Sequence, residues 1–177
     1  MIYKSDSAEK DALLEVAKLM AVAARTAPKA RGVDTILTMI IDGAEKGAVA
    51  EEMRRIYGGD EDRFRFDRDA NCVDASECVV AIAVIDKPIG LKNVCNACGH
   101  ENCGAATKAG VPCAFNISDL GTATCSACAV ASHHWVDNRL MYTVGLAVQN
   151  LGLFETDIRM CYGIPISATG KSIYYDR

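Results

Sequence analysis

Apolar residues recur at helical spacing near the start of the chain, at Leu13, Val16, Ala17, Met20 and Ala24. This period predicts a helix over about 7–24. Asp6-Ser7-Ala8-Glu9 supplies the form of a capped start, and the helix ends before Pro28. Its buried face is made of small and medium side chains, so a neighbour can approach closely. "RTAPKARGVD" (25–34) follows as a basic, ordered loop. Thr35–Ile41 (TILTMII) is a β-branched apolar run closed by Asp42-Gly43. That pattern favours a buried strand, with a short helix as the alternative. Residues 44–57 read as a helix that stops at Gly58-Gly59. Residues 60–76 are polar and charged around Phe64 and Phe66 and predict no element. Cys78–Ile85 (CVVAIAVI) is apolar at nearly every position, as a central strand is, and Asp86-Lys87-Pro88 ends it.

The pattern then breaks. Residues 88–118 carry Gly and Pro punctuation and little periodicity, and a structureless stretch of that length marks function. Asp119 can cap a helix over about 120–133. Asp137 can cap another over about 138–151, with Gly152 just beyond it. Ile158–Tyr162 has strand character, and the tail ends in turn residues. The chain length of 177 residues fits one domain over 1–177, with 88–118 as an inserted cysteine-rich loop.

Composition narrows the classes. Half the residues are apolar, enough for a real core. The net charge of −4 advertises no basic face for nucleic acid. Short basic stretches, Arg54-Arg55 and Arg63 to Arg68, are interrupted by acids and read as solvated faces. "MIYKSDSAEK" has no apolar signal core, and no run of about 18 apolar residues occurs. The expectation is a cytoplasmic chain with no membrane span. There are nine cysteines. The cytosol keeps thiols reduced, and an odd count does not complete a disulfide framework. Metal binding is the leading use for so many.

The densest group is Cys95-x2-Cys98-x4-Cys103-x9-Cys113. A two-residue gap lets Cys95 and Cys98 grip neighbouring corners of one centre, and Gly99 frees the backbone to turn. Cys113 returns on a separate segment beside Pro112. The pattern specifies four thiolates on one centre. It fits neither of the usual ferredoxin spacings, so the centre stays open: an iron–sulfur cluster first, then zinc, where His100 could replace a cysteine, then a redox thiol pair without metal. Cys125-x2-Cys128 shares one helix face. It is either a second thiolate pair, joined by Cys72 and Cys78, or small side chains filling an Ala-rich helix contact. The second reading is favoured, and Cys161 reads as core. His133-His134 suits a helix end rather than joint ligation. Gly170-Lys171-Ser172 is not a phosphate-binding loop, because Pro165 stands where that motif needs glycine.

Four segments carry a resemblance: "CNACGHENC" with Cys113-Ala114-Phe115, "ISDLGTA" (117–123), "VDNRLMYTVGLA" (136–147) and "GIPISATGKSIYYDR" (163–177). Through them the chain resembles an uncharacterised prokaryotic family of ferredoxin-domain-containing proteins. That resemblance implies a 4Fe-4S cluster held by Cys95, Cys98, Cys103 and Cys113 and gives no established reaction; the leading expectation is single-electron transfer to a redox partner protein or a flavin, and the alternative is a zinc- or metal-stabilised non-enzymatic module. The pair at Cys125 and Cys128 departs from the family's usual pattern. A weaker likeness is to flavin-dependent nitroreductases. "AVAARTAPKARGVDTI" is similar to their Arg-rich loop, and "LAVQNLGLF" to their central helix. This likeness implies an α+β sandwich-like fold, with helices on a small central sheet, and a homodimer sharing its cofactor site. FMN would bind there with Arg25, Lys29 and Arg31 on its phosphate. The alternative for those three residues is a solvated basic loop at a helix C-terminus, which the macrodipole favours. No dinucleotide fingerprint and no Ser-His-Asp order is present, so the substrate is left open.

Overall fold

Cys78–Val84 forms a strand, β2, in which all seven residues are buried. A strand hidden on both faces needs cover on both sides, and the rest of the chain supplies it. The computed structural model describes residues 2–91 and 94–175. In chain order the elements are α1 (Ser5–Thr26), β1 (Ile36–Ile41), α2 (Gly43–Tyr57), α3 (Phe64–Ala75), β2, α4 (Cys103–Lys108), α5 (Ala114–His133), β3 (Asp137–Asn138), α6 (Tyr142–Asn150) and β4 (Met160–Ser167). The strands make one antiparallel sheet in the order β1-β2-β4-β3. Ile36 lies opposite Val84 in the first ladder, and Cys78 lies opposite Ile166 in the second.

Side-chain alternation along β2 divides the core. Cys78, Val80, Ile82 and Val84 point into one apolar cluster with α1 and α5. Val79, Ala81 and Ala83 point into the other with α2, α3 and α6. The buried face of α1 is Leu13, Val16, Ala17, Met20 and Ala24, the set read from its period. Each fully buried Val, Leu or Ile contributes roughly 1.5–3 kcal/mol before chain entropy is charged. The α+β layering matches the expected class. Among the described residues no helix is long and apolar enough to cross a membrane.

Four local expectations are corrected. α1 starts at Ser5 with no side-chain cap from Lys4; the Ser5 hydroxyl instead donates to Glu9 within the first turn. Residues 64–75 form a helix whose buried side is Asp69, Ala70, Cys72 and Val73, too small and polar a set to show as a period. α5 begins at Ala114, and Asp119 lies inside it, because its carboxylate is committed to a distant loop rather than to a cap. α6 begins at Tyr142, because Asp137 and Asn138 pair with Ser167 and Ile166 as β3.

Candidate metal centre

The cysteine loop is built by helix ends and tight turns. Gly99 takes a left-handed φ of 79° and donates its N–H to Asn96, at 2.8 Å, so the expected backbone freedom is used. The Asn102 side chain accepts from the Ala105 N–H at 3.0 Å and starts α4, so Cys103 opens that helix. Gly110 (φ 67°) and the 3.0 Å bond from Val111 to Ala106 close it. Cys113 is then the N-cap residue of α5. The stretch 88–118 is therefore more regular than its sequence suggests.

These turns place Cys95, Cys98, Cys103 and Cys113 around one pocket of about 20 Å³. Its other walls are apolar, with Pro88, Ala106, Val111 and Phe115 among them. All four thiols are half-buried. His100 is not among the lining residues. Among the described residues no group of three or more His, Cys, Asp or Glu is disposed to hold a single metal ion. The donor set is four soft sulfurs facing an apolar space, which suits a sulfur-ligated centre.

α5 fixes the loop from below. One turn past Cys113, the fully buried Asn116 accepts from the Lys87 N–H at 3.1 Å, and its amide reaches Thr35. A turn further, both Asp119 oxygens accept from the Ala30 N–H at 3.1 Å. Asp86 receives a long 3.5 Å bond from the Cys113 N–H. Neither Asn116 nor Asp119 was singled out as a site residue. The only sequence signal is a polar pair at i, i+3 in an otherwise small-residue helix.

The basic loop has protein partners throughout. Arg25 donates to Asp34 at 2.6 Å and also to the Ile36 carbonyl. The Lys29 side chain is buried and donates to the Ala27 carbonyl at 2.9 Å, and also to the Ala24 and Arg25 carbonyls. It thus sits on the last carbonyls of α1, where the macrodipole favours a cation. Arg31 holds a left-handed backbone (φ 55°), uncommon for a residue with a Cβ. Its guanidinium donates to the Ile89 carbonyl at 3.0 Å. Burial works to raise the Asp34 carboxyl, but the Ile36 N–H and Arg25 outweigh it and hold it below its ordinary value.

The other cysteines are not gathered. Cys78 lies in the cluster under α1 and α5, and Cys72 and Cys161 in the cluster on the other face. Burial pushes the Cys78 and Cys161 thiols up to about 12, and raises Cys72 as well. Cys128 packs against the first cluster and is pushed up to about 11, by burial first and Cys125 second. Cys125 is exposed, so only one of that pair fills the helix contact. His133 ends α5, and its ring meets that of His134 edge-on at 5.7 Å. A wider cleft of about 630 Å³ lies past α6, lined by Gln149, Glu155, Thr156 and Asp157, and shares no residue with the thiol pocket.

The fold is similar to a nitroreductase with bound FMN from Desulfitobacterium hafniense, with a TM-score of 0.62 at 14% identity, covering 89% of this chain and 79% of that one. A nitroreductase from Saccharomyces cerevisiae gives a TM-score of 0.60 at 12% identity, covering 86% and 79%. A nitroreductase family protein from Clostridium novyi gives 0.57 at 12% identity, covering 99% and 79%. At such identities the likeness is one of fold. In sequence, an uncharacterized protein of Archaeoglobus fulgidus is 38% identical over 187 aligned positions, spanning 100% of this chain and 98% of the relative. Residues 109–177, which include Cys113 but not the other three pocket cysteines, match the family described as "Uncharacterized protein containing a ferredoxin domain (DUF2148)". The chain belongs to this family of uncharacterized ferredoxin-domain proteins, on a nitroreductase-like fold.

Proposed function

We propose that this is an iron–sulfur redox protein in which Cys95, Cys98, Cys103 and Cys113 hold one 4Fe-4S cluster. The observation that carries the reading is the pocket that these four thiols line together. Four such sulfurs could hold either a lone zinc ion or a cluster, and membership of a ferredoxin-domain family favours the cluster. When bound, such a cluster supplies single-electron oxidation and reduction. The chain supplies four cysteines and a largely apolar wall, with Cys113 at the N-terminus of α5. At about 20 Å³ the space must widen on loading, so loop shape and metal affinity are coupled.

Anaerobic reconstitution with iron and sulfide tests the reading. Iron and sulfide in equal amounts should bind, with broad visible absorption that bleaches on reduction. Serine at any of the four positions should cut the iron content, while Cys125→Ser and Cys128→Ser leave it unchanged. A colourless chain retaining stoichiometric zinc after this treatment would overturn it.

A second reading is an FMN-dependent oxidoreductase with an accessory cluster. The likeness to a nitroreductase with bound FMN favours it. Arg25, Lys29 and Arg31 would then hold the phosphate. Each already has a protein partner, so a phosphate must displace bonds such as Arg25 to Asp34, which places this reading second. Titration with FMN decides it: a tight complex whose affinity falls in Arg25→Gln supports it, and absence of binding removes it.

A further inference from the structure

The cysteine loop is gripped from outside at both limbs. Arg31 donates to the Ile89 carbonyl at 3.0 Å and to Gly90 at 3.5 Å. Ile89 directly follows Pro88, which lines the thiol pocket. On the other limb, Arg159 donates to the Gly110 carbonyl at 3.0 Å. Gly110 directly precedes Val111, which also lines the pocket. The two arginines come from distant places. Arg31 sits in the loop between α1 and β1, and Arg159 sits just before β4, where its own N–H is held by Val84 at 2.7 Å. Arg31 takes its left-handed backbone in the turn that the Val33 N–H closes on the Ala30 carbonyl, and neither arginine has an acidic partner among the described residues' ion pairs. Both charges are therefore spent on the loop carbonyls.

We infer that Arg31 and Arg159 form a two-sided clamp that holds the cysteine loop in its ligand-gathering shape and biases the centre toward its reduced state. The second part rests on the iron–sulfur reading. Four thiolates make the centre anionic. Reduction adds one electron and one negative charge, with no bond formed or broken. Two fixed cations one residue outside the pocket wall stabilise the more negative state. Both guanidinium groups are near the surface, so salt screens the effect. One terminal nitrogen of Arg31 makes both of its bonds and Arg159 makes one, so lysine keeps the charge without the planar group.

The test uses the full chain with Arg31→Gln, Arg159→Gln and the matching Lys variants. Hydrogen exchange is first read on the chain before iron is added. Amides at 86–91 and 94–113 should exchange several-fold faster in each Gln variant, with exchange in α2 and α6 unchanged. The reconstituted chain is then reduced with dithionite as the electron donor, under redox mediators. Each Gln variant should shift the one-electron equilibrium several-fold toward the oxidised form; a tenfold shift would be about 59 mV. Lys should restore most of that shift at low salt, and the difference should narrow as salt rises. Unchanged exchange overturns the clamp. Equal potentials in Gln and Lys variants overturn the electrostatic bias. Failure of the unsubstituted chain to take up iron instead overturns the cluster reading and the bias, while the exchange result still decides the clamp.

Discussion

Gly145 on α6 lies against Cys161 on β4 so closely that a Cβ at position 145 would stand 1.8 Å from the Cys161 carbonyl oxygen. The obstacle is backbone, which cannot step aside. Gly163 on β4 answers from the other side: its Cβ would stand 2.2 Å from a Val144 methyl. The two glycines let α6 lie directly on the sheet, and each belongs to one of the segments that resemble the family.

Gly145→Ala should therefore destabilise the chain at the upper end of the 1–3 kcal/mol typical of overpacking, or beyond it. Gly163→Ala meets a side chain instead, so Val144→Ala in the same chain should recover much of its loss. The same partner change should do nothing for Gly145→Ala. Chemical denaturation of the single and double variants reads the coupling, and equal rescue of both would contradict this geometry.

Asp119→Ala should loosen the basic loop. The Ala30 N–H would lose both acceptor oxygens in a part-buried place, a loss of about 1–3 kcal/mol. Hydrogen exchange at Ala30 should rise sharply, with the core strands unaffected. Asn116→Ala should show its effect at Lys87 instead.

Thiol labelling at mildly alkaline pH should divide the cysteines. Cys78 and Cys161, buried and pushed up to about 12, should resist iodoacetamide in the folded chain. Cys128, at about 11, should react slowly. Cys125 is exposed and should label readily. Peptide mass spectrometry with time reads this order, and early labelling of Cys161 would contradict the core placement.

Acid should weaken two ion pairs. The Asp34 carboxyl is held low by Ile36 and Arg25 against burial, and Glu52 is held low mainly by Arg55. A depressed carboxylate gives stability that is full above its unfolded pKa, about 4, and is lost as pH falls through the lowered folded value. Stability measured from pH 6 downward should fall below about pH 4, and the fall should shrink in Asp34→Asn. Exposure of the Arg25 pair keeps its share small.

The strong periods were legible. α1, β1, α2 and β2 follow from residues such as Met20, Ile36, Met53 and Ile82, each large and fully buried. Cys95, Cys98, Cys103 and Cys113 line one pocket, and their spacing was the signal that singled them out. What stayed hidden was written in small or polar residues. α3 buries Ala70 and Cys72 beside Asp69, whose carboxylate is held by Thr143 at 2.6 Å, so its inner face looked solvated. β4 was obscured by Gly163 and Pro165, one needed for close approach and the other seated opposite Val79. Asp119 looked like a cap because capping is local, whereas its partner lies 89 residues away.

Cys113, Asn116 and Asp119 follow one another at three-residue steps along a single helix, so α5 serves as the common ruler for loops far apart in the chain. The pairs it fixes are separated by 29, 81 and 89 residues. Each must close a long stretch of chain before it contributes anything. A shift of α5 by one position would lose all three at once. The thiol pocket thus shares its helix with anchors that reach far along the chain, and its closing ligand keeps its place only while α5 keeps its register.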